Sequence, residues 1–378
     1  MAKFMKYSVW TSVLAGWMLT AILSPAQIIV QQGIVKVSGL APLTTVNTLL
    51  TNYGTITQQG ALITESDLLN YGSYDATNAK LVLQGENQRV LSESLTVAQL
   101  HLKSNGTTTL EGNLEILESL LLEEGLLQVG EPSRLTLNEA ATITQNNESS
   151  YVWGSVTRQG TGSKFFPVGT RNEYAPLTLT NVRGNNPLVR VQYAPVANQP
   201  YWSQTQLAGN YEGSSITVTF PSRNPDYEFY PEQLTITARA SQEQTETILA
   251  SDLAQLDLPR ITISSTLPTA LPWISVGFLT EEAEEEIYVP NAFSPEAPNP
   301  EDRVIKVYGR YLSHQNFYFG IQDVWGRWIY QTTSLEDALS TGWTSSQISS
   351  APAQFRYVAS GQFLSGKPFQ SSDTIIKF

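Results

Sequence analysis

The chain has 378 residues, 34 acidic against 22 basic, two histidines and no cysteine, for a formal charge of −12. This balance excludes the basic stripe that binding to nucleic-acid phosphates requires, and it argues against docking on anionic lipid. The absence of cysteine excludes disulfides, thiolate nucleophiles and cysteine-held metals.

Lys3 and Lys6 precede a mostly apolar, uncharged run over 8–23, and the small residues Ser24 and Ala26 follow it. This pattern predicts a signal peptide over 1–26, cleaved after Ala26. About sixteen apolar residues fall short of the roughly twenty that span a bilayer, so the leader is the only part expected to meet the membrane, during export. Its loss removes two lysines and takes the net charge to −14, which favours solubility outside the cell. The remaining length suits two or three domains that stand on core burial without disulfides.

Residues 27–148 read as a repeat. Two Asn-Tyr-Gly triplets begin at Asn52 and Asn70, and short apolar strands around Leu81, Leu100 and Leu135 recur at roughly 18–20 residues, separated by Gly, Asn and Ser. Sixteen leucines fall within 81–137, which predicts a β-helix with a stacked leucine interior and with Asn or Gly at corners of positive φ. Within 110–128 the sequence carries two periods. Leu110, Leu114, Leu117 and Leu121 have helical spacing, whereas Leu114, Ile116, Leu120 and Leu122 alternate. Gly112, Asn113 and Gly125 weaken the helix, so strand is expected.

Residues 149–280 hold alternating runs such as 175–181, 187–194, 214–220 and 232–239, separated by Pro- and Gly-bearing loops. They predict an antiparallel β-sandwich. Phe166, Pro167, Val168, Gly169, Tyr174 and Pro176 lie at its start, and that segment resembles a junction in surface proteins of gliding bacteria that leads from a strand-rich array into a sandwich. Five glutamates over 281–286 read as an acidic linker. Beyond it the charge balances, with seven acids and seven bases in 287–378 against 27 and 13 in 27–286.

The last segment opens with Pro290, Asn291, Ala292, Phe293, Ser294 and Pro295, and continues with Trp325-Gly326, Gly342-Trp343 and two closing strands. On these residues 287–378 resembles the gliding-motility-associated C-terminal domain, the type B sorting domain of type IX secretion. The resemblance implies an Ig-like sandwich that the secretion and attachment machinery reads. Alternation around Phe317, Phe319, Ile321, Phe355 and Tyr357 independently predicts a small sandwich with an aromatic core, in which Trp325, Trp328 and Trp343 are expected. The family's oxygen-rich loop, suited to calcium, is replaced at 296–303 by a stiffer stretch with two prolines, in which Glu301 and Asp302 are the available carboxylates.

No catalytic set emerges. His101 and His314 are far apart, and neither G-x-S-x-G nor HExxH occurs. The acids of 65–148 are scattered rather than paired, and 159–164 reads as a hairpin turn rather than a phosphate loop. No cofactor or metal is expected. Tyr201, Trp202, Tyr227 and Tyr230 cluster in proline-bounded loops, where they either stack on sugar rings or pack over the sandwich end. The expectation is an all-β, non-enzymatic, adhesin-like protein. It would pass through the periplasm to the surface or exterior of a gram-negative gliding-type bacterium and meet the type IX machinery, with an extracellular glycan or surface protein as a further partner. A glycan-binding middle sandwich is the alternative, and a polysaccharide-active β-helix enzyme comes third.

Overall fold

The computed structural model describes residues 26–31, 33–37, 42–196, 199–241, 244–279, 284–344 and 353–378. The leader expected over 1–26 lies outside them except for its last residue. The protein is all-β, with an N-terminal solenoid of about six turns followed by further sheets. Among the described residues no helix is long and apolar enough to cross a membrane.

The solenoid is built by parallel pairing of each rung on the next. The step is 18 residues where Leu50 pairs with Leu68 and lengthens to 25 where Gly125 pairs with Ser150, so the rungs are less uniform than the sequence suggests. Leu62, Leu81 and Leu100 stack one above another, as do Leu50, Leu68 and Val90, and all six are buried. Each such side chain contributes roughly 1.5–3 kcal/mol on burial.

The Asn-Tyr-Gly triplets are explained here, and the reason differs from the expected positive φ. That conformation belongs to Asn47, Asn87, Gly112 and Gly125, and not to Asn52 or Asn70. Asn52 and Asn70 point inward instead. Asn52 Nδ2 donates to Asn70 Oδ1 at 2.7 Å, and Asn70 Nδ2 donates to Ser92 Oγ at 2.9 Å. A buried amide must find such partners, and here the amide of the next rung serves Asn52 and the serine of the rung after it serves Asn70. Tyr53 and Tyr71 stack outside, with ring centroids 5.1 Å apart and planes within 10°. At Gly72 a Cβ would stand 2.2 Å from the Gly54 carbonyl oxygen, so glycine is needed there for close approach.

Residues 110–128 are strand, within the continuous stretch Arg89–Val129. Leu114, Ile116, Leu120 and Leu122 are buried, while Glu118 between them is exposed. Period two therefore wins over period 3.6, because neighbouring rungs supply the backbone partners that a helix would find within itself.

The strand Ser150–Gln159 ends the solenoid and begins the next module. It lies parallel to the last rung through Ser150–Gly154 and antiparallel to Leu177–Tyr193 through Ser155–Gln159. Leu177–Tyr193 then forms a long antiparallel pair with Tyr201–Pro221. The middle sandwich packs around the fully buried Trp202, Phe166 and Phe220. Residues 159–164 are a hairpin turn, as expected, with Gly160 and Gly162 at φ of 89° and 79°.

The chain divides into two compact units. One comprises the described residues up to Pro221 with Ile236–Val276, and the other comprises Ser222–Thr235 with Gly277–Phe378. Residues 222–235, which the sequence places inside the middle sandwich, thus group with the C-terminal unit. That unit has a five-stranded sheet of its own, in the order Ala292–Phe293, Pro368–Lys377, Ala353–Gln362, Tyr318–Gln322, Trp328–Thr332. Two short strand pairs, Glu286–Tyr288 with Tyr308–Arg310 and Val304–Ile305 with Trp343–Thr344, complete a small sandwich. Its core joins Val289, Phe293, Phe319, Ile321, Trp343, Phe355 and Ile375.

The acidic linker needs correction over its described part. Glu284 bonds Arg310, Glu285 is buried 4.0 Å from Lys367, and Glu286 lies in a strand. Local lysine and arginine offset the charge repulsion that the sequence run suggests. Residues 281–283 lie outside the described residues.

Candidate functional site

The opening motif is held by the far end of the chain. Ala292 and Phe293 pair in parallel with Ile376 and Lys377, Ile376 N donates to Asn291 O, and Phe378 N donates to Phe293 O. Phe293 is buried, with its ring 5.3 Å from that of Trp343 and 6.4 Å from that of Phe355. Pro290, Ser294 and Pro295 are half-buried, and Asn291 and Ala292 are exposed. Ser294 N donates to Asp302 O at 2.9 Å, which fixes the loop that follows. The motif is a clasp whose two halves lie some eighty residues apart in sequence.

In the 296–303 loop, Asn299 accepts from Glu301 N at the start of a short 3₁₀ turn, and Arg303 Nε donates to Ala297 O at 2.6 Å. The Glu301 carboxylate is occupied by Lys306 at 3.1 Å and by the Tyr308 hydroxyl at 3.3 Å. Among the described residues no three or more His, Cys, Asp or Glu side chains converge as a metal would require.

Gly342-Trp343 behaves as its chemistry demands. Gly342 has a φ of 62°, follows the helix Leu335–Ser340, and donates its N–H to Asp337 O at 2.7 Å. A left-handed residue after a helix is best filled by glycine, and the turn delivers Trp343 into the core.

Trp325 and Trp328 are corrections. Trp325 is 77% exposed and Trp328 is 42% exposed, so neither is a core residue. Trp325 sits on a hairpin turn organised by Asp323, which accepts from Trp325 N at 2.9 Å, Arg327 N at 3.0 Å and Arg327 Nε at 2.8 Å. Desolvation works to raise the Asp323 carboxyl, but the hydrogen bonds from Arg327 and Trp325 outweigh it and hold the group below the usual carboxylate range. Gly326 takes the positive φ of the turn at 79°, and the Arg327 guanidinium lies 5.1 Å from the Trp325 ring centre. Trp328 and Tyr318 meet edge to face at 5.6 Å over Gly320, where a Cβ would be 2.6 Å from both side chains. Trp-Gly in this protein is therefore a turn that displays an indole.

The aromatic quartet proposed for sugar stacking is built into the structure. Trp202 is fully buried and donates from Nε1 to Ala175 O at 2.9 Å. Tyr201 is buried beneath the Arg239 guanidinium, and its hydroxyl bonds Arg239 and Glu246. Tyr227 is buried against Phe278, and Tyr230 is half-buried with its hydroxyl donating to Leu312 O at 2.9 Å. Of the two roles open to this quartet, the side chains fill the packing one. Burial pushes the Tyr230 phenol well above its ordinary value, with Asp226 and Glu232 adding to the shift.

Two charged groupings went unseen in the sequence. In the C-terminal unit, Asp226 is buried and accepts from Ser313 Oγ at 2.6 Å and from His314 N at 2.8 Å, and it faces His314 Nδ1 at 2.6 Å. His314 Nε2 faces Glu336 at 2.9 Å. Ser313 is spent on the aspartate rather than presented to the histidine, so the set clamps 222–235 within its unit and presents no nucleophile. On the solenoid, Glu123 bonds His101 at 2.6 Å and Lys103 at 2.8 Å. Hydrogen bonding from Lys103 and then from His101 holds its carboxyl below the usual range. The first grouping has no local spacing signal, since Asp226 and His314 are 88 residues apart, whereas His101 and Glu123 are 22 apart, within the range of one rung step. At the solenoid's end Arg158 is buried, donates to the Ala141 and Phe165 carbonyls, and is pushed down to about 10 by desolvation. It serves backbone groups left open where the rungs stop.

In comparisons with known proteins, no family model, no curated protein and no solved structure matches the chain.

Proposed function

We propose that this is an exported surface or extracellular protein whose C-terminal unit is an address read by type IX secretion and attachment machinery, with the solenoid and middle sandwich as the displayed scaffold. The supporting observation is the clasp. The motif residues that carry the resemblance close a sheet and an aromatic core of their own, with Phe293, Trp343 and Phe355 in mutual contact. An address must keep its shape whatever cargo precedes it, and a separately closed sheet meets that requirement. Scaffold is the simplest role for the rest, because Tyr201, Trp202 and Arg158 are enclosed and Glu123 is engaged by His101 and Lys103.

Fractionation of expressing cells tests the reading. Deletion of 287–378 is expected to leave the protein in the periplasm. Phe293→Asp, which puts a charge into the clasp, is expected to do the same while the solenoid stays folded. Unchanged surface delivery of the deletion variant would reject the sorting role.

A further inference from the structure

In the C-terminal unit, two segments distant in sequence are tied to the single ring of His314. Its side chain is 12% exposed, and both ring nitrogens meet carboxylate oxygens. Nδ1 lies 2.6 Å from Asp226 Oδ1, and Nε2 lies 2.9 Å from Glu336 Oε1. Asp226 belongs to the short helix Pro225–Phe229 and Glu336 to the helix Leu335–Ser340. A neutral imidazole carries one N–H, so it donates to one of these carboxylates and turns a lone pair toward the other. Only the imidazolium donates to both.

The surrounding groups leave that count unchanged. Asp226 also accepts from His314 N and Ser313 Oγ, Glu336 Oε2 accepts from Ser334 Oγ, and the Tyr230 hydroxyl donates to Leu312 O. The Phe229 ring meets the imidazole edge to face at 5.1 Å. Among the described residues no lysine or arginine pairs with either carboxylate. The positive charge that answers Asp226 and Glu336 therefore resides on His314.

We propose that 222–235 is a pH-gated latch, closed on its unit while His314 is an imidazolium and loosened when that ring loses its proton. The sign follows from which form makes both bonds. The charged ring contributes stability that is present at lower pH and is lost as pH rises through its deprotonation. On the acid side the latch ends where the two carboxylates take up protons, so it closes over a window bounded on both sides. The segment is flanked in the chain by Pro221 and Ile236, which belong to the other unit. Side chains, and not chain continuity, thus keep it with this one. Opening would bare the Ser313 hydroxyl and the His314 N–H beside the Tyr227 ring. The latch stands independently of the sorting reading.

Because the full chain has no cysteine, Glu228→Cys supplies a single site for a nitroxide spin label at an exposed position of the latch. The label is expected to be immobilised at about pH 6, and its mobile component to grow about tenfold by about pH 9. Glu336→Gln in the labelled chain lets a neutral ring satisfy both contacts, since an amide also donates. Its label is expected to stay immobilised at both values. His314→Gln removes the titrating group and should give the same spectrum at both. Nitrogen-15 magnetic resonance of the histidine rings, with His101→Gln for assignment, needs no substitution in the latch. It is expected to show both His314 ring nitrogens protonated at about pH 6. The proposal is overturned if that ring is neutral there, if label mobility does not change with pH, or if the response persists in His314→Gln. It is equally overturned if Glu336→Gln keeps the full response, or if mobility rises only with loss of the strand signal in circular dichroism.

Discussion

The solenoid and the C-terminal unit are both β structures without a disulfide, yet they close in opposite ways. In the solenoid each strand finds its partner 18 to 25 residues further on. In the C-terminal unit, Ala292–Phe293 waits for Ile376–Lys377. Stability in a stack of rungs is a sum of nearest-neighbour increments, so damage stays local. A sheet closed by its two ends has one core and is lost as a whole. The regions therefore suit different tasks, since the stack tolerates change and the clasp either presents its surface or does not.

The comparison breaks most visibly at Phe319, which is fully buried in the C-terminal core. Phe319→Ala is expected to cost about 3–5 kcal/mol. Hydrogen exchange should show protection lost together across 287–378 and retained in the solenoid; graded loss within the unit would contradict the single-core view. Gly72→Ala pushes a Cβ toward the Gly54 oxygen and is expected to cost about 1–3 kcal/mol. Here the exchange change should stay within neighbouring rungs. Asn70→Ala cuts the amide ladder on both sides and is expected to cost about 1 kcal/mol in urea denaturation, with the same locality.

Acid sharpens the contrast at smaller amplitude. The Glu336 carboxyl is held below the usual range by its own backbone N–H first and, against an opposing desolvation, by His314 and Ser334. A depressed carboxyl contributes stability that is present above its unfolded value of about 4.3 and is lost as pH falls through the lower folded value. The melting temperature of the C-terminal unit should therefore fall over that window, and Glu336→Gln should flatten the slope. Trp325→Ser, at an exposed turn, is expected to change stability by no more than about 0.5 kcal/mol in thermal melts.

Much of the fold was legible because its rules are local. Alternation named Leu114, Ile116, Leu120 and Leu122 as the buried row, and the Asn-Tyr-Gly triplets announced the rung. The glycines of 159–164 marked a hairpin turn. What failed was side-chain destination. Trp325 and Trp328 have the composition of a core and stand in solvent. Tyr201 and Trp202 have the composition of a platform and are enclosed. A run of glutamates with the look of a linker packs, over 284–286, against Arg310 and Lys367. For Tyr201, Trp202 and the glutamates the partner comes from a segment far away in sequence, which composition does not report, whereas Trp325 is held outward by its own turn through Asp323 and Arg327.

The sequence by itself determined strand against helix, the existence of a stacked repeat and the hairpin glycines of 159–164, because backbone sterics and the period of apolar side chains act over a few residues. Only the tertiary structure decided that 222–235 groups with the C-terminal unit through Asp226 and His314, and that Trp325 and Trp328 stand in solvent while Trp343 enters the core. Those outcomes depend on which surfaces meet after the chain has closed, and no short stretch of residues carries that information.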